Sequence, residues 1–140
     1  MTSSIDSNII VGLWRKTHAS NLVAARLLHQ ARMRGKLVVS GPVYSELMGD
    51  PDRTEEKLDR FVSGTGISVD WTLDEDVWRE AGKAYLGYFL RRKAHGATPP
   101  RRILADFLIG AHAVVHGYSL LTFDGDHYKA AFPTLTIISE

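Results

Sequence analysis

Two observations predict an α/β fold, a sandwich of helices around a mostly parallel sheet. Short apolar runs such as Leu37 to Val39 and Ser119 to Phe123 alternate with helix-length amphipathic stretches, roughly five of each or more. Acids also stand directly after two of those runs, at Asp6 and Asp124, where parallel sheets gather their ligands beyond the carboxyl ends of the strands. One domain spanning residues 1–140 is expected, because 140 residues with 44% hydrophobic content suit a single core.

Taken in order, residues 2–5 form an apolar-leaning strand with Asp6 at its end, and Ser7 and Asn8 suit the turn or cap of a helix from Ile9 to about Lys16. Leu22, Ala25, Leu28 and Ala31 repeat at helical spacing from a Ser20 or Asn21 start, with Arg26, Arg32 and Arg34 opposite and Gly35 as the stop. Leu37 to Val39 is the next strand, Ser40 caps the following helix, and Pro42 sits in that helix's first turn, where its missing N–H is harmless. Glu46 lies just over a turn further on, with no basic residue three or four positions away.

Pro51 is a stop, Asp52 and Glu55 read as a capping box, and Leu58, Phe61 and Val62 form the buried side of a short helix that Gly64 to Gly66 ends. Ile67 to Val69 is a third strand. Asp74, Glu75 and Asp76 open a long helix that closes with Arg91, Arg92 and Lys93, matching the helix dipole at both ends, with Val77, Ala81, Ala84, Tyr85, Tyr88 and Phe89 as its core face. The loop from Ala94 to Pro100 is too short for an inter-domain linker. A helix carrying Asp106 precedes the Ser119 to Phe123 strand; His127 to Ala131 is a short helix broken by Phe132 and Pro133, and Leu135 to Ile138 is the last strand.

Asp106 is badly placed for a charge. At about 100° per residue it shares its face with Ile109, Gly110 and Ala113, and an unpaired carboxylate in apolar surroundings needs a compensating cation or donor. Two readings fit: a helix-start acid paired with Arg102, or a member of a functional site. Asp6 and Asp124 follow strands, while Glu46 and Asp106 lie early in helices, so all four can converge on one sheet edge. Four carboxylates that close cannot all ionise without positive charge among them. With oxygen ligands only, that charge is Mg²⁺ or Mn²⁺, and the chemistry is phosphodiester hydrolysis. The opposing reading scatters these acids over the surface.

Composition removes other classes. The chain has no cysteine, which excludes disulfides, thiolate metal sites and a cysteine nucleophile. No apolar run approaches the roughly 18 residues of a membrane span and no secretory signal is present, so a cytoplasmic location is the default. A net charge of +1 does not by itself imply polyanion binding, although Arg91, Arg92, Lys93, Arg101 and Arg102 lie close together in sequence and would suit phosphates.

Four segments, in their order and spacing, resemble the PIN domain, specifically the small VapC-like ribonuclease toxins of toxin–antitoxin pairs. They are Ile5-Asp6-Ser7-Asn8-Ile9-Ile10, Val39-Ser40-Gly41-Pro42-Val43-Tyr44-Ser45-Glu46-Leu47, Ala105-Asp106-Phe107-Leu108-Ile109-Gly110-Ala111-His112-Ala113 and Leu120-Leu121-Thr122-Phe123-Asp124-Gly125-Asp126. No segment is specific alone. The resemblance covers nearly the whole chain and implies a three-layer α/β/α fold with a five-stranded parallel sheet, homodimers, an antitoxin partner and RNA as substrate. It makes Asp6, Glu46, Asp106 and Asp124 ligands of Mg²⁺ or Mn²⁺, directly or through water, with Asn8 and Thr122 as supporting polar residues. Some relatives bear a further acid near Asp126; Asp124 is taken as the one facing the metal. With almost no residues ahead of the first strand, no preceding module is expected.

Other features read more plainly. His112 and His116 have the i, i+4 spacing used for zinc, but no third nitrogen or thiolate lies nearby in sequence, which favours a solvated or partly packed face. Trp14, Trp71 and Trp78 sit among apolar neighbours and read as core or interface residues rather than base-stacking platforms. A receiver-like signalling domain would need adjacent acids after the first strand and a lysine after the last, yet Ser7 and Asn8 follow Asp6 and no lysine follows Leu135. A protein-binding module with the same fold and no catalysis is the remaining alternative, and the intact acids count against it.

Overall fold

The computed structural model describes residues 1–96 and 102–139. Its strands are β1 (Ser3–Ile5), β2 (Leu37–Ser40), β3 (Ser68–Asp70), β4 (Ser119–Leu121) and β5 (Ile137–Ile138). All neighbouring strands are parallel, in the order β3-β2-β1-β4-β5. Parallel neighbours need crossovers, and helices supply them: α1 (Ser7–Trp14) and α2 (Ser20–Arg34) join β1 to β2, α3 (Gly41–Met48) and α4 (Glu55–Thr65) join β2 to β3, and α5 (Glu75–His95) and α6 (Leu104–His116) lead to β4. A last short helix, α7 (Gly125–Ala131), precedes β5. The result is the expected three-layer α/β/α arrangement. Ile5, Val39, Leu120 and Leu121 of the central strands are fully buried, as strands covered on both faces must be.

The strand order matters more than the strand lengths. From β1 the chain builds outward to β2 and β3 on one side, then returns through α5 and α6 to place β4 on the other side of β1. This reversal leaves a crevice beyond the carboxyl ends of β1 and β4, the position where open parallel sheets bind ligands. Asp6 and Thr122 are the first residues past those two ends, brought level by the Ile5–Leu121 pairing and the 2.9 Å bond from the Asp6 N–H to the Leu121 carbonyl.

Several local expectations shift. The buried stripe of α2 is Ala24, Leu27, Leu28 and Ala31, a tight i, i+3, i+4, i+7 set, which leaves Ala25 exposed and Leu22 at 77% exposure on the flank. Asp6 itself, not Ser7 or Asn8, caps α1, its carboxylate accepting from the Ser7 N–H at 2.8 Å. Ser40 occupies the cap position of α3 without a capping bond. Thr54, not Asp52, caps α4, accepting from the Lys57 N–H at 3.2 Å. Along α5 only Val77, Ala81 and Ala84 of the expected face are buried; Tyr85 and Phe89 are exposed. Of the Ala94 to Pro100 loop, residues 97–100 lie outside the described residues, as does Arg101 of the basic cluster.

Candidate active site

Asp6 is the centre of the site. It is only 5% exposed, and its carboxylate accepts from the Ser7 N–H at 2.8 Å and the Thr122 hydroxyl at 2.8 Å. Burial pushes its pKa up to about 6 against those stabilising hydrogen bonds, and the neighbouring Asp106 charge adds to the rise. Glu46 arrives from the middle of α3 and is half-buried; burial raises its pKa too, the Ser7 hydroxyl bond opposes the rise, and Asp6 and Asp106 both reinforce it. Asp106, in the first turn of α6, is half-buried, and no hydrogen bond or ion pair reaches its carboxylate among the described residues. Thus three acids separated by tens of residues act on one another through space, and among the described residues none of the three is held in an ion pair.

The fourth acid is held differently. Arg102 grips both oxygens of Asp124, with Nη2 at 3.1 Å from Oδ1 and Nη1 against Oδ2. Sequence spacing allows Arg102 to pair with Asp106; the fold gives it to Asp124 instead. Asp124 sits beside Asp6 through Thr122, whose hydroxyl accepts from the Asp124 N–H at 2.9 Å while donating to Asp6. Asp126 is exposed and makes no such link among the described residues.

Asn8 and Thr122, the two expected supporting residues, lie together between β1 and β4. Asn8 donates to the Thr122 hydroxyl at 3.4 Å and accepts from the Phe123 N–H at 3.2 Å, fastening the start of α1 to the end of β4. Two further residues escape sequence reasoning. Ser7 bridges the acids, donating its hydroxyl to Glu46 at 3.0 Å beside its backbone bond to Asp6. Tyr128 on α7 is buried beside Asp6, and burial together with the Asp6, Asp106 and Glu46 charges and an interaction of its hydroxyl with the Asp6 carboxylate drives its pKa far above the phenol range. Ser7 is legible as the residue beside the first acid; nothing local marks Tyr128.

The backbone of α6 is brought close to its neighbour by Gly110, where a β-carbon would come within 2.2 Å of the Phe132 ring. A side chain there would displace α6 from the element that carries Tyr128, so glycine helps set where Asp106 stands.

A cleft of about 780 Å³ opens beside Glu46, lined by Trp14, Arg15, Asp50, Asp52, Arg53 and Lys57 among others. The Arg53 guanidinium lies 3.6 Å above the Trp14 ring. Trp14 is half-buried, packed against the core edge-on to Phe61 and beneath Arg53, as a core or interface residue would be. Trp71 and Trp78 are exposed, so neither belongs to the core. His112, expected on a solvated or partly packed face, is fully buried and within 2.8 Å of Asp70. Burial holds its imidazole below the ordinary histidine range.

The acid constellation fits a hard divalent cation. Asp6, Glu46 and Asp106 lie close enough for their charges to oppose one another, and binding a cation would offset the penalty that burial imposes on Asp6 and Glu46.

No curated protein matches the chain. Among solved structures, the fold is shared with VapBC2 from Rickettsia felis, bound to a DNA fragment from its promoter, at 19% identity and a TM-score of 0.69 over 99% of this chain and 98% of that one. It is likewise shared with VapBC-1 from nontypeable Haemophilus influenzae, at 18% identity, a TM-score of 0.69 and coverage of 99% and 98%. FitAcB from Neisseria gonorrhoeae follows at 19% identity, a TM-score of 0.66 and coverage of 99% and 97%. The profile of the PIN domain matches residues 4–133, nearly the full length that carries the sheet and its acids, and the chain belongs to the PIN domain family.

Proposed function

We propose that the chain is a Mg²⁺- or Mn²⁺-dependent endoribonuclease, the toxin of a VapBC-type toxin–antitoxin pair. The observation that carries this reading is the placing of Asp6, Glu46 and Asp106 about the sheet crossover, where Asp106 raises the cost of ionising Asp6 and both raise that of Glu46. When bound, the cation supplies charge neutralisation and Lewis acidity toward a phosphodiester. The chain's own residues prepare the rest. Thr122 and the Ser7 N–H fix the Asp6 carboxylate, and the Ser7 hydroxyl fixes one oxygen of Glu46, so both acids are held in place before substrate arrives. Asp124, with both oxygens engaged by Arg102, acts through water rather than directly, and Arg102 puts a permanent positive charge at the rim, where a phosphate approaches.

RNA as the substrate is supported by the cleft beside Glu46, where Arg15 and Lys57 offer phosphate contacts alongside Asp50 and Asp52, while Arg53 pairs with Asp50 and covers the Trp14 ring. Water attacks the phosphorus in line with the leaving 3′-oxygen, so the expected products carry 5′-phosphate and 3′-hydroxyl ends. Incubation of labelled RNA with Mg²⁺ or Mn²⁺, and with chelator as control, tests this. Cleavage independent of metal, or a 2′,3′-cyclic phosphate product, would overturn it.

The antitoxin partner and the homodimer belong to the same proposal. Their support is that the similar folds come from VapBC2, VapBC-1 and FitAcB, and that Leu86, Phe89 and Leu90 stand exposed one turn apart on α5. An amphipathic antitoxin helix is expected to co-purify with the chain when its operon is expressed intact; a strictly monomeric protein with no partner at micromolar concentration would count against both.

A further inference from the structure

We infer that Asp70, His112 and His116 form a second metal site, chemically distinct from the carboxylate cluster and suited to Zn²⁺ rather than to Mg²⁺ or Mn²⁺. One ligand atom from each of the three lies within 4.8 Å of the others. The two histidines are a turn apart on α6, and the third ligand, absent from their sequence neighbourhood, arrives from the end of the edge strand β3.

The surrounding bonds fix how these groups can donate. The His116 Nδ1–H donates to the His112 carbonyl at 2.8 Å, which sets the tautomer and leaves the Nε2 lone pair of His116 for a cation. His112 Nε2 faces Asp70 Oδ2 at 2.8 Å, and the other Asp70 oxygen accepts from the Thr72 N–H at 3.0 Å, orienting the carboxylate from outside the cluster. His116 also stacks on Tyr118, with planes 21° apart and centroids 5.4 Å apart, which limits the swing of its ring.

A histidine–aspartate hydrogen bond alone does not account for this group. His112 is fully buried with its Nε2 aimed at the Asp70 carboxylate, so the nitrogen that would bind is already turned into the cluster. A second imidazole with its tautomer fixed stands beside it, ring centroids 4.6 Å apart. Two nitrogens and one carboxylate oxygen match a borderline cation with a fourth position left to water, while Mg²⁺ and Mn²⁺ favour the oxygen-only cluster. Zinc bonds of about 2.0–2.1 Å place tetrahedral ligand atoms about 3.3 Å apart, so the 2.8 Å contact between His112 Nε2 and Asp70 Oδ2 must open modestly to admit the ion. Once bound, the ion would tie β3 to the helix that carries Asp106.

Co²⁺ added to the chelator-treated full-length chain tests the site, because tetrahedral Co²⁺ with nitrogen ligands absorbs strongly in the visible and octahedral oxygen-ligated Co²⁺ only weakly. The expected result is one equivalent of strongly absorbing Co²⁺, displaced by Zn²⁺ and retained in Asp106→Asn. Replacing the half-buried His116 in His116→Gln should weaken binding by more than ~100-fold, beyond the 10- to 100-fold usual for outer partners alone. Asp70→Asn provides a second variant that leaves both helix histidines in place, so the comparison survives if His116→Gln misfolds. Absence of the visible band in the wild type, or its persistence in folded His116→Gln and Asp70→Asn, overturns the proposal. The readout is binding and not cleavage, so failure here leaves the nuclease reading standing, and the reverse holds as well.

Discussion

Asp106→Asn should abolish RNA cleavage while leaving the metal-free fold as stable as the wild type or more so. The substitution keeps the shape of the side chain and removes a charge that raises the pKa of both Asp6 and Glu46. The loss of activity should reach at least ~10²–10³-fold, the scale on which removing a single preorganised electrostatic group acts. Mg²⁺ or Mn²⁺ binding should weaken in parallel. If Asp106 were a structural partner of Arg102, the variant would instead lose up to ~1 kcal/mol and keep its activity. The structure assigns Arg102 to Asp124, which removes the geometric basis of that alternative. Thermal melts with and without metal, run beside the cleavage assay, separate the outcomes, and retained activity in Asp106→Asn would sink the metal-site reading at its centre.

The second large effect is a pH dependence that changes sign from the usual one for acids. Asp6 has a folded-state pKa of about 6 against an ordinary value of 3.8. A carboxyl whose pKa is raised on folding favours the native state most when it is protonated in both states, below about pH 3.8, and that contribution is lost as pH rises through about 6. The full swing corresponds to about 3 kcal/mol, from about 1.4 kcal/mol per pKa unit. Other acids titrate as well, so the quantity to follow is the stability difference between wild type and Asp6→Asn in metal-free buffer. Between pH 4 and 7 the wild type should lose up to ~3 kcal/mol relative to the variant, and saturating Mg²⁺ or Mn²⁺ should cancel the trend. Denaturant titrations across that range measure it. A flat difference would mean that Asp6 does not carry the burial penalty that the site requires.

Much of this site is legible in the amino-acid sequence. Asp6 and Asp124 follow apolar strands, and Glu46 and Asp106 stand on helices without a favourable local basic partner, so the strand–helix alternation allows them to meet at one sheet edge, and the resemblance to the PIN domain favours that over scattered surface acids. Asn8 and Thr122 stand out only through the resemblance to the PIN domain, and in the structure they connect the ends of the two central strands. The element boundaries are less so. Apolar spacing marks a helix without fixing its phase, as Leu22 and Ala25 show by lying outside the buried stripe of α2.

Local pattern therefore determined the fold class and the absence of cysteine chemistry, because each depends on periodicity or composition within a few residues, and it allowed the acids to share one sheet edge. Tertiary structure alone decided which charges meet. Arg102 takes Asp124, 22 residues away; Ser7 reaches Glu46, 39 residues away; and Asp70 meets His112 across 42 residues. Pairing of charges and donors depends on distances of a few ångströms through space, which the order β3-β2-β1-β4-β5 and the packing of α6 set, and which no sequence spacing encodes.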